Sequence, residues 1–314
     1  MIMKQLTCVF ALAFALCSAF AQSQKPDWNA TIKVIDEAGL AVSGADVEMS
    51  FYIQPQSREH EAGGNVHGVT DTNGLVVLSH ANTGSVGLAF QASKVGYYPT
   101  TQGHEFAAFK DSDPDKWNPN KTLLLKKIGR PIAMYCKSVN LGMPVFDKPA
   151  GFDLIAGDWT APYGKGVDTD IIFEAHLDQH GENDASYKLT VSFPKPSDGI
   201  QEFTLPDAEK GSVLRSPHEA PAGGYQSQWV QTRNRKPGQP ETGNLDPNRN
   251  FIFRVRTVVD NQGNVVSAHY GKIYGDFLQF RYYLNPTPNS HDIEFDPKQN
   301  LLGGIQSFEQ VSTP

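Results

Sequence analysis

Ala30-Thr-Ile-Lys-Val-Ile35, closing on the turn Glu37-Ala-Gly39, decides the fold class. Ala30, Ile32 and Val34 fall on one side of an extended chain, and Thr31, Lys33 and Ile35 on the other. A period of two belongs to a strand with one buried face. The same alternation returns in Val47, Met49 and Phe51 against Glu48 and Ser50, in Val86, Leu88 and Phe90, and in Leu123 and Leu125. Asp71-Thr-Asn-Gly74 and Asn82-Thr-Gly84 punctuate the runs as turns. No ten-residue helical period intervenes, so about seven short strands between Asp27 and Ile128 read as an antiparallel β-sandwich.

Four motifs in this stretch carry a family resemblance. Val34-Ile-Asp-Glu-Ala-Gly39, Val42-Ser-Gly-Ala-Asp-Val47, Thr70-Asp-Thr-Asn-Gly74 and Ala92-Ser-Lys-Val-Gly-Tyr97 follow one another in the order seen in carboxypeptidase regulatory-like domains. The segment resembles that family, which implies a transthyretin-like sandwich serving as an accessory module on exported bacterial proteins, with no catalytic residue of its own. Gly74 is expected to supply the positive φ of a hairpin turn, and Gly44-Ala45 close packing where a strand begins. Two specialised relatives fail on the residues. A pilin-type Lys–Asn crosslink from Lys33 lacks an Asn in Lys121–Lys127, and an outer-membrane transporter needs far more chain than follows Ile128.

From Gly129 to the C-terminus a second β-rich domain is expected, so the chain as a whole reads as two tandem β-sandwiches. Strands are predicted at Pro131–Val139, Asp170–Asp178, Tyr187–Phe193, Phe251–Asp260, Val265–Lys272 and Phe277–Leu284, with Asp260-Asn-Gln-Gly-Asn264 as a hairpin turn. Between Pro194 and Asn250 the Pro and Gly content rises, which reads as a long functional connection or an extended cover over a sheet. Gly129-Arg130-Pro131 is the expected joint, short enough to restrict motion.

The chain has 314 residues, with 27 Lys+Arg against 34 Asp+Glu, a net charge of −7 that excludes a general nucleic-acid binder. Residues 1–21 read as a signal peptide: Lys4, an apolar run from Leu6 to Leu16, and Ala19-Phe-Ala21 as the cleavage pattern. No later run approaches the ~20 apolar residues of a membrane span, so a periplasmic or extracellular protein is expected. Cleavage removes Cys8 and Cys17 and leaves Cys136 alone beside Ile132 and Met134, a buried thiol with no disulfide partner.

The residues that bear chemistry fall into separate groups. Asp158, Trp159 and Tyr163, and further on Tyr225 and Trp229, combine rings with hydrogen-bonding neighbours, as sugar-binding platforms do; core packing with satisfied polar edges is the plain alternative. Glu174, His176, Asp178 and His180 fall on one strand face opposite Phe173, Ala175 and Leu177, and imidazole with carboxylate suits zinc or a similar divalent ion. Against that, His180 is expected in the turn, which would spoil the geometry. Asp111-Ser-Asp113-Pro-Asp115 invites calcium but lacks the glycine and glutamate of an EF-hand loop. Asp153, Asp158, Asp168 and Asp170 form an acidic region near Trp159 that could hide a pair of catalytic carboxylates. Arg254 and Arg256 are expected to share a face, and Arg233-Asn-Arg235-Lys236 to be a solvated basic cluster. No Gly-x-Ser-x-Gly elbow, His-Glu-x-x-His pair or phosphate-binding loop is present.

The resulting expectation is an exported accessory or binding protein without catalysis and without a required cofactor, its ligand a polysaccharide. The alternatives are a polysaccharide hydrolase or lyase, and a structural surface protein that contacts other envelope proteins.

Overall fold

The computed structural model describes residues 28–53, 63–80, 85–105, 118–246 and 248–314. Residues 1–21, the Asn82 turn and the Asp111–Asp115 run lie outside the described residues, as do Cys8 and Cys17. Every element of regular length is a strand, and two short 3-10 turns at Asp207–Glu209 and Ser307–Glu309 are the exceptions among the described residues.

The first body contains β1 (Trp28–Asp36), β2 (Asp46–Ile53), β3 (Gly63–Val69), β4 (Leu75–His80), β5 (Ser85–Ser93), β6 (Thr100–Glu105) and β7 (Asn120–Leu125). They form a three-stranded sheet in the order β4-β1-β7 and a four-stranded sheet in the order β3-β2-β5-β6. The alternating residues of the sequence meet between them: Ala30, Ile32 and Val34 of β1 pack with Met49 of β2, Phe90 of β5 and Leu123 of β7, all buried. Two details differ from the expectation. β1 runs antiparallel to β4 but parallel to β7, so the sandwich is not purely antiparallel. Gly74 does not close a hairpin, because β3 and β4 belong to different sheets and the turn carries the chain from one to the other. Its φ of +73° is still required, and a Cβ there would sit 2.5 Å from the Val34 carbonyl oxygen.

The second body is larger. One six-stranded sheet has the order β10-β9-β11-β12-β14-β15, from β9 (Pro149–Asp153), β10 (Asp158–Trp159), β11 (Ile171–Gly181), β12 (Asp184–Ser192), β14 (Gln228–Arg235) and β15 (Thr242–Gly243). Facing it is the sheet β13-β16-β17-β18-β8-β19, from β8 (Ile132–Asn140), β13 (Gly199–Phe203), β16 (Asn250–Val259), β17 (Val265–Asp276), β18 (Gln279–Leu284) and β19 (Phe295–Asn300). Phe152, Phe173, Leu189 and Val191 of the first sheet close on Phe251, Phe253, Phe280 and Tyr282 of the second. The Asp260–Asn264 turn joins β16 to antiparallel β17, as its sequence indicates, with the Asp260 carboxylate accepting the Gln262 and Asn264 N–H groups. The stretch from Pro194 to Asn250 is not a bare connection, for it holds β13, β14 and β15.

Part of that stretch also fastens the two bodies together. Gly211–Val213 lies against the edge strand β6: Thr101 N–H donates to the Gly211 carbonyl and Val213 N–H to the Pro99 carbonyl. An edge strand that would otherwise be unpaired is thereby covered. A glycine is needed at 211, because a Cβ would lie 2.1 Å from the Thr101 carbonyl oxygen. Lys126, almost fully buried, reaches the Glu209 carboxylate at 2.8 Å and the Ser216 carbonyl at 3.2 Å.

The centre of the seam is Glu294, 2% exposed. Its carboxylate accepts the Tyr98 hydroxyl at 2.5 Å, Gly129 N–H at 2.9 Å and Arg130 N–H at 3.1 Å, and meets His218 Nδ1 at 2.7 Å. The other imidazole nitrogen of His218 lies 3.1 Å from Glu37 of the first body. The hydrogen bond to Glu294, aided by Glu37, raises the His218 pKa. Burial opposes ionisation of Glu294, yet the bonds from His218, Tyr98 and Gly129 leave its pKa below the ordinary value.

These shifts set the sign of the pH dependence. The His218 contribution is complete below its unfolded pKa and is lost as pH rises through its raised folded value. The Glu294 contribution is lost as pH falls through its depressed value. The seam is therefore strongest between the two. The melting temperature of the whole chain should fall as pH rises above about 6.5, the ordinary histidine value, and part of that fall should vanish in His218→Gln. A pH profile identical in wild type and variant would contradict the assignment. Glu294→Ala should cost roughly 3–5 kcal/mol and split the calorimetric transition in two, as the bodies lose their common anchor.

Candidate functional site

In the second body, one sheet extends past its partner. The inward rows of β11, β12 and β14 are fixed by their registers: Phe173–Val191–Trp229, then Ala175–Leu189–Gln231, then Leu177–Tyr187–Arg233, then Gln179–Ala185–Arg235. In the first two rows Phe173, Val191, Ala175, Leu189 and Gln231 are buried. In the last two the facing sheet has ended, and Leu177 is 44% exposed although alternation assigns it to the core. Over this uncovered end lie Leu141 and Phe146, which follow β8, and Leu278 from the β17–β18 turn, where the Leu141 N–H bonds the Leu278 carbonyl. The result is a cleft of about 320 Å³ at the mouth of the sandwich.

Its floor is aliphatic, its walls carry the Phe146 and Tyr187 rings, and its rim carries Gln179, Glu182, Arg233 and Arg235. Both arginines bind the Glu241 carboxylate, Arg233 through Nε at 2.7 Å and Arg235 through Nε at 2.7 Å. Those guanidiniums hold the Glu241 pKa below the ordinary carboxylate value. With Glu182 added, two positive and two negative charges balance around the opening. One row further in, Gln231 accepts the Phe277 N–H through Oε1, while its Nε2 is buried without an acceptor among the described residues. Burial, with the charge of Asp276 beside it, raises the Tyr187 pKa, so that the phenol remains a donor.

The sequence-predicted ring residues are not brought together into one surface: Trp159, Tyr225 and Trp229 are half-buried and Tyr163 is exposed. Trp159 closes the β10 edge of the sandwich, half-buried, with its ring edge-on to Phe152 at 5.5 Å and Phe173 at 5.7 Å. Asp158 is occupied locally, accepting the Trp159 and Lys165 N–H groups, and Tyr163 is the exposed ring of that loop. Trp229 packs on Phe251 and Phe277 and carries the Arg249 guanidinium 5.1 Å from its ring centre. Tyr225 donates to the Pro221 carbonyl beneath Arg254, whose guanidinium lies 4.8 Å from the ring.

The acidic region is structural in its geometry. Asp153 is buried, which opposes ionisation, but four backbone N–H groups, from Ile155, Ala156, Val167 and Asp168, hold its pKa below the ordinary value. Burial raises the Asp170 pKa even though Arg256 Nε donates to it at 2.7 Å. Arg256 also reaches Asp153 at 3.2 Å and Asp168 at 3.6 Å. It does not share a face with Arg254: Arg256 has φ +57° where the β16–β17 register shifts, whereas Arg254 donates to the Ser197 and Ala222 carbonyls.

The metal reading is not assembled either. β11 continues to Gly181, so His180 lies in the strand and not in the turn. His176 pairs with Asp147 at 2.7 Å and Glu174 at 3.4 Å, and His180 with Asp178 at 3.1 Å, as separate exposed contacts. Among the described residues no group of three or more His, Cys, Asp or Glu side chains is placed to hold a metal ion. Cys136 is fully buried, and burial pushes its thiol well above its ordinary pKa. No described helix is long and apolar enough to cross a membrane.

No protein-family model matches the chain. No curated protein matches it in sequence. Among solved structures, it is similar to a 3-chlorocatechol 1,2-dioxygenase from Rhodococcus opacus, with 13% identity and a TM-score of 0.24 over 34% of this chain and 62% of that one. The shaft pilin SpaA of Lactobacillus rhamnosus is matched at 11% identity and a TM-score of 0.24, over 55% of this chain and 90% of the pilin. A protein of Bacteroides uniformis provisionally described as carbohydrate-binding is matched at 11% identity and a TM-score of 0.19, over 84% of this chain and 99% of that one. Likenesses this distant carry no argument about what this chain does.

The packing roles can be measured. Trp159→Ala should cost about 3 kcal/mol of unfolding free energy, at the low end for a large aromatic. Arg256→Met should cost roughly 3–5 kcal/mol, because it strands the Asp153 and Asp170 carboxylates. Urea unfolding curves that overlay the wild type would show these side chains free of the roles given them here.

Proposed function

We propose that this chain is an exported, non-catalytic binding protein that takes carbohydrate at the open mouth of its second sandwich, with the first sandwich as an accessory module of the carboxypeptidase regulatory-like kind. The observation that carries the proposal is the composition of the cleft. Aliphatic and aromatic walls suit the C–H faces of a sugar, and the planar groups of Gln179, Glu182, Arg233 and Arg235 suit pairs of neighbouring hydroxyls. Balanced charge at the rim favours a neutral polyol over a strongly charged ligand. Glycoside hydrolysis by the common route needs two carboxyl groups flanking the bond; of the two carboxylates at this opening, Glu241 is engaged by Arg233 and Arg235, which leaves Glu182. Export rests on the N-terminal sequence pattern.

Electrophoresis of the purified chain through gels holding embedded neutral polysaccharides, with a reducing-end assay on the same mixtures, tests the reading. Retardation without new reducing ends is expected. Phe146→Ala and Arg235→Ala should each abolish the retardation while leaving the thermal melt within a few degrees of wild type. New reducing or unsaturated ends would make the protein an enzyme. No retardation by any polymer would favour the structural, protein-contacting reading, and retardation unchanged in both variants would remove the ligand from this cleft.

A further inference from the structure

A second cavity, of about 440 Å³, opens between the Pro206–Ser216 segment and the start of β16. Lys210, Arg215 and Arg249 line it, with Glu202 and Asp246. Most of these charges are accounted for. Glu202 takes Arg249 Nη1 at 2.6 Å, and Lys210 pairs with the exposed Asp207 at 2.6 Å. Asp246 is exposed and accepts the Asn248 N–H. Arg215 is not accounted for. It is half-buried, its guanidinium lies 5.7 Å from the Tyr274 ring centre, and it has no carboxylate partner among the described residues.

The surroundings make the imbalance larger. Lys272 is fully buried behind the same Tyr274 ring, bonded to the Ser216 hydroxyl at 3.1 Å and 4.9 Å from the Tyr283 ring centre, again with no carboxylate partner among the described residues. Arg249 Nε, in the cavity wall, is a buried donor without an acceptor. Two cations without counter-charge thus crowd one ring in a chain whose net charge is −7. Cations held away from water are stable only with compensating negative charge or strong hydrogen bonding. A forked guanidinium at the wall of an open cavity is the group best matched to an oxyanion.

We infer that this cavity binds the oxyanion group, a carboxylate, sulfate or phosphate, of a small polar ligand, with Arg215 as the principal contact and Lys210 at the rim. The site is distinct from the mouth cleft in residues and in charge, and it does not depend on the carbohydrate reading.

Isothermal titration of the full chain with sodium sulfate, phosphate and glucuronate, against sodium chloride and glucose at matched ionic strength, tests the inference. Saturable one-site heat is expected from at least one oxyanion and none from chloride or glucose, and the oxyanion that saturates lowest identifies the source. Arg215→Met should weaken binding at least about tenfold. Lys210→Met, at an exposed position, should weaken it about two- to threefold and carries the test if Arg215→Met does not fold. The inference is overturned if no oxyanion gives saturable heat, or if saturable heat is unchanged in the variants that fold.

Discussion

The architecture depends on a carboxylate held almost out of water. An ionised side chain in such a place loses several kcal/mol of hydration, and only a full set of donors offsets the loss. At Glu294 those donors come from three separated parts of the chain: Tyr98 in the first body, Gly129 and Arg130 in the joint, and His218 in the long connection. All three converge on one carboxylate, which ties their positions together. Energetic coupling of the two sandwiches follows, since groups that share one hydrogen-bond network do not act independently. The Lys126–Glu209 pair and the strip laid along β6 act on the same seam. Together they hold in place the Pro206–Ser216 segment that walls the second cavity.

What was legible in the sequence was whatever packs on both sides of a strand pair. β11, β16 and β17 announce themselves because their inward rows stay apolar for most of their length and their ends carry turn chemistry such as Asp260–Asn264. β14 does not, since its inward row reads Trp229, Gln231, Arg233, Arg235 and turns polar halfway along. β9 and β13 are only five residues each, too short for a period to show. Pairing partners were a different matter. Nothing in β1 or β7 says that they run parallel, and Gly74 reads the same whether its turn closes a hairpin or passes between sheets.

The site was harder to read than the fold for a related reason. Ring residues beside polar ones describe both a platform and a satisfied core side chain, and the difference lies in what covers the ring. For Trp229 the cover is Arg249, twenty positions away in sequence and brought over by the opposite sheet. Leu177 shows the converse. Strand alternation assigns it to the core, yet it lines the cleft, because the facing sheet stops before reaching it. A signal does exist in the decay of each inward row from apolar to polar toward one end: Phe173, Ala175, Leu177, Gln179 in β11, and Trp229, Gln231, Arg233, Arg235 in β14. Such paired decay marks where one layer of a sandwich outruns the other.

The inward row of β14 also runs from the mouth cleft toward the second cavity. From Arg233 at the mouth, the inward row of β14 passes Gln231 to Trp229, a rise of roughly 13 Å at strand spacing. Trp229 is capped by Arg249, whose other neighbours wall the cavity beside Arg215. Between the ends lies Gln231, its amide donor buried and unpaired. Its Oε1 accepts the N–H of Phe277, against whose ring Trp229 packs. The stretch between the two cavities is therefore filled by packed side chains. The Gln231 amide is the member of that row buried without an acceptor among the described residues, and a buried donor left unpaired lowers stability where the row turns from apolar to polar.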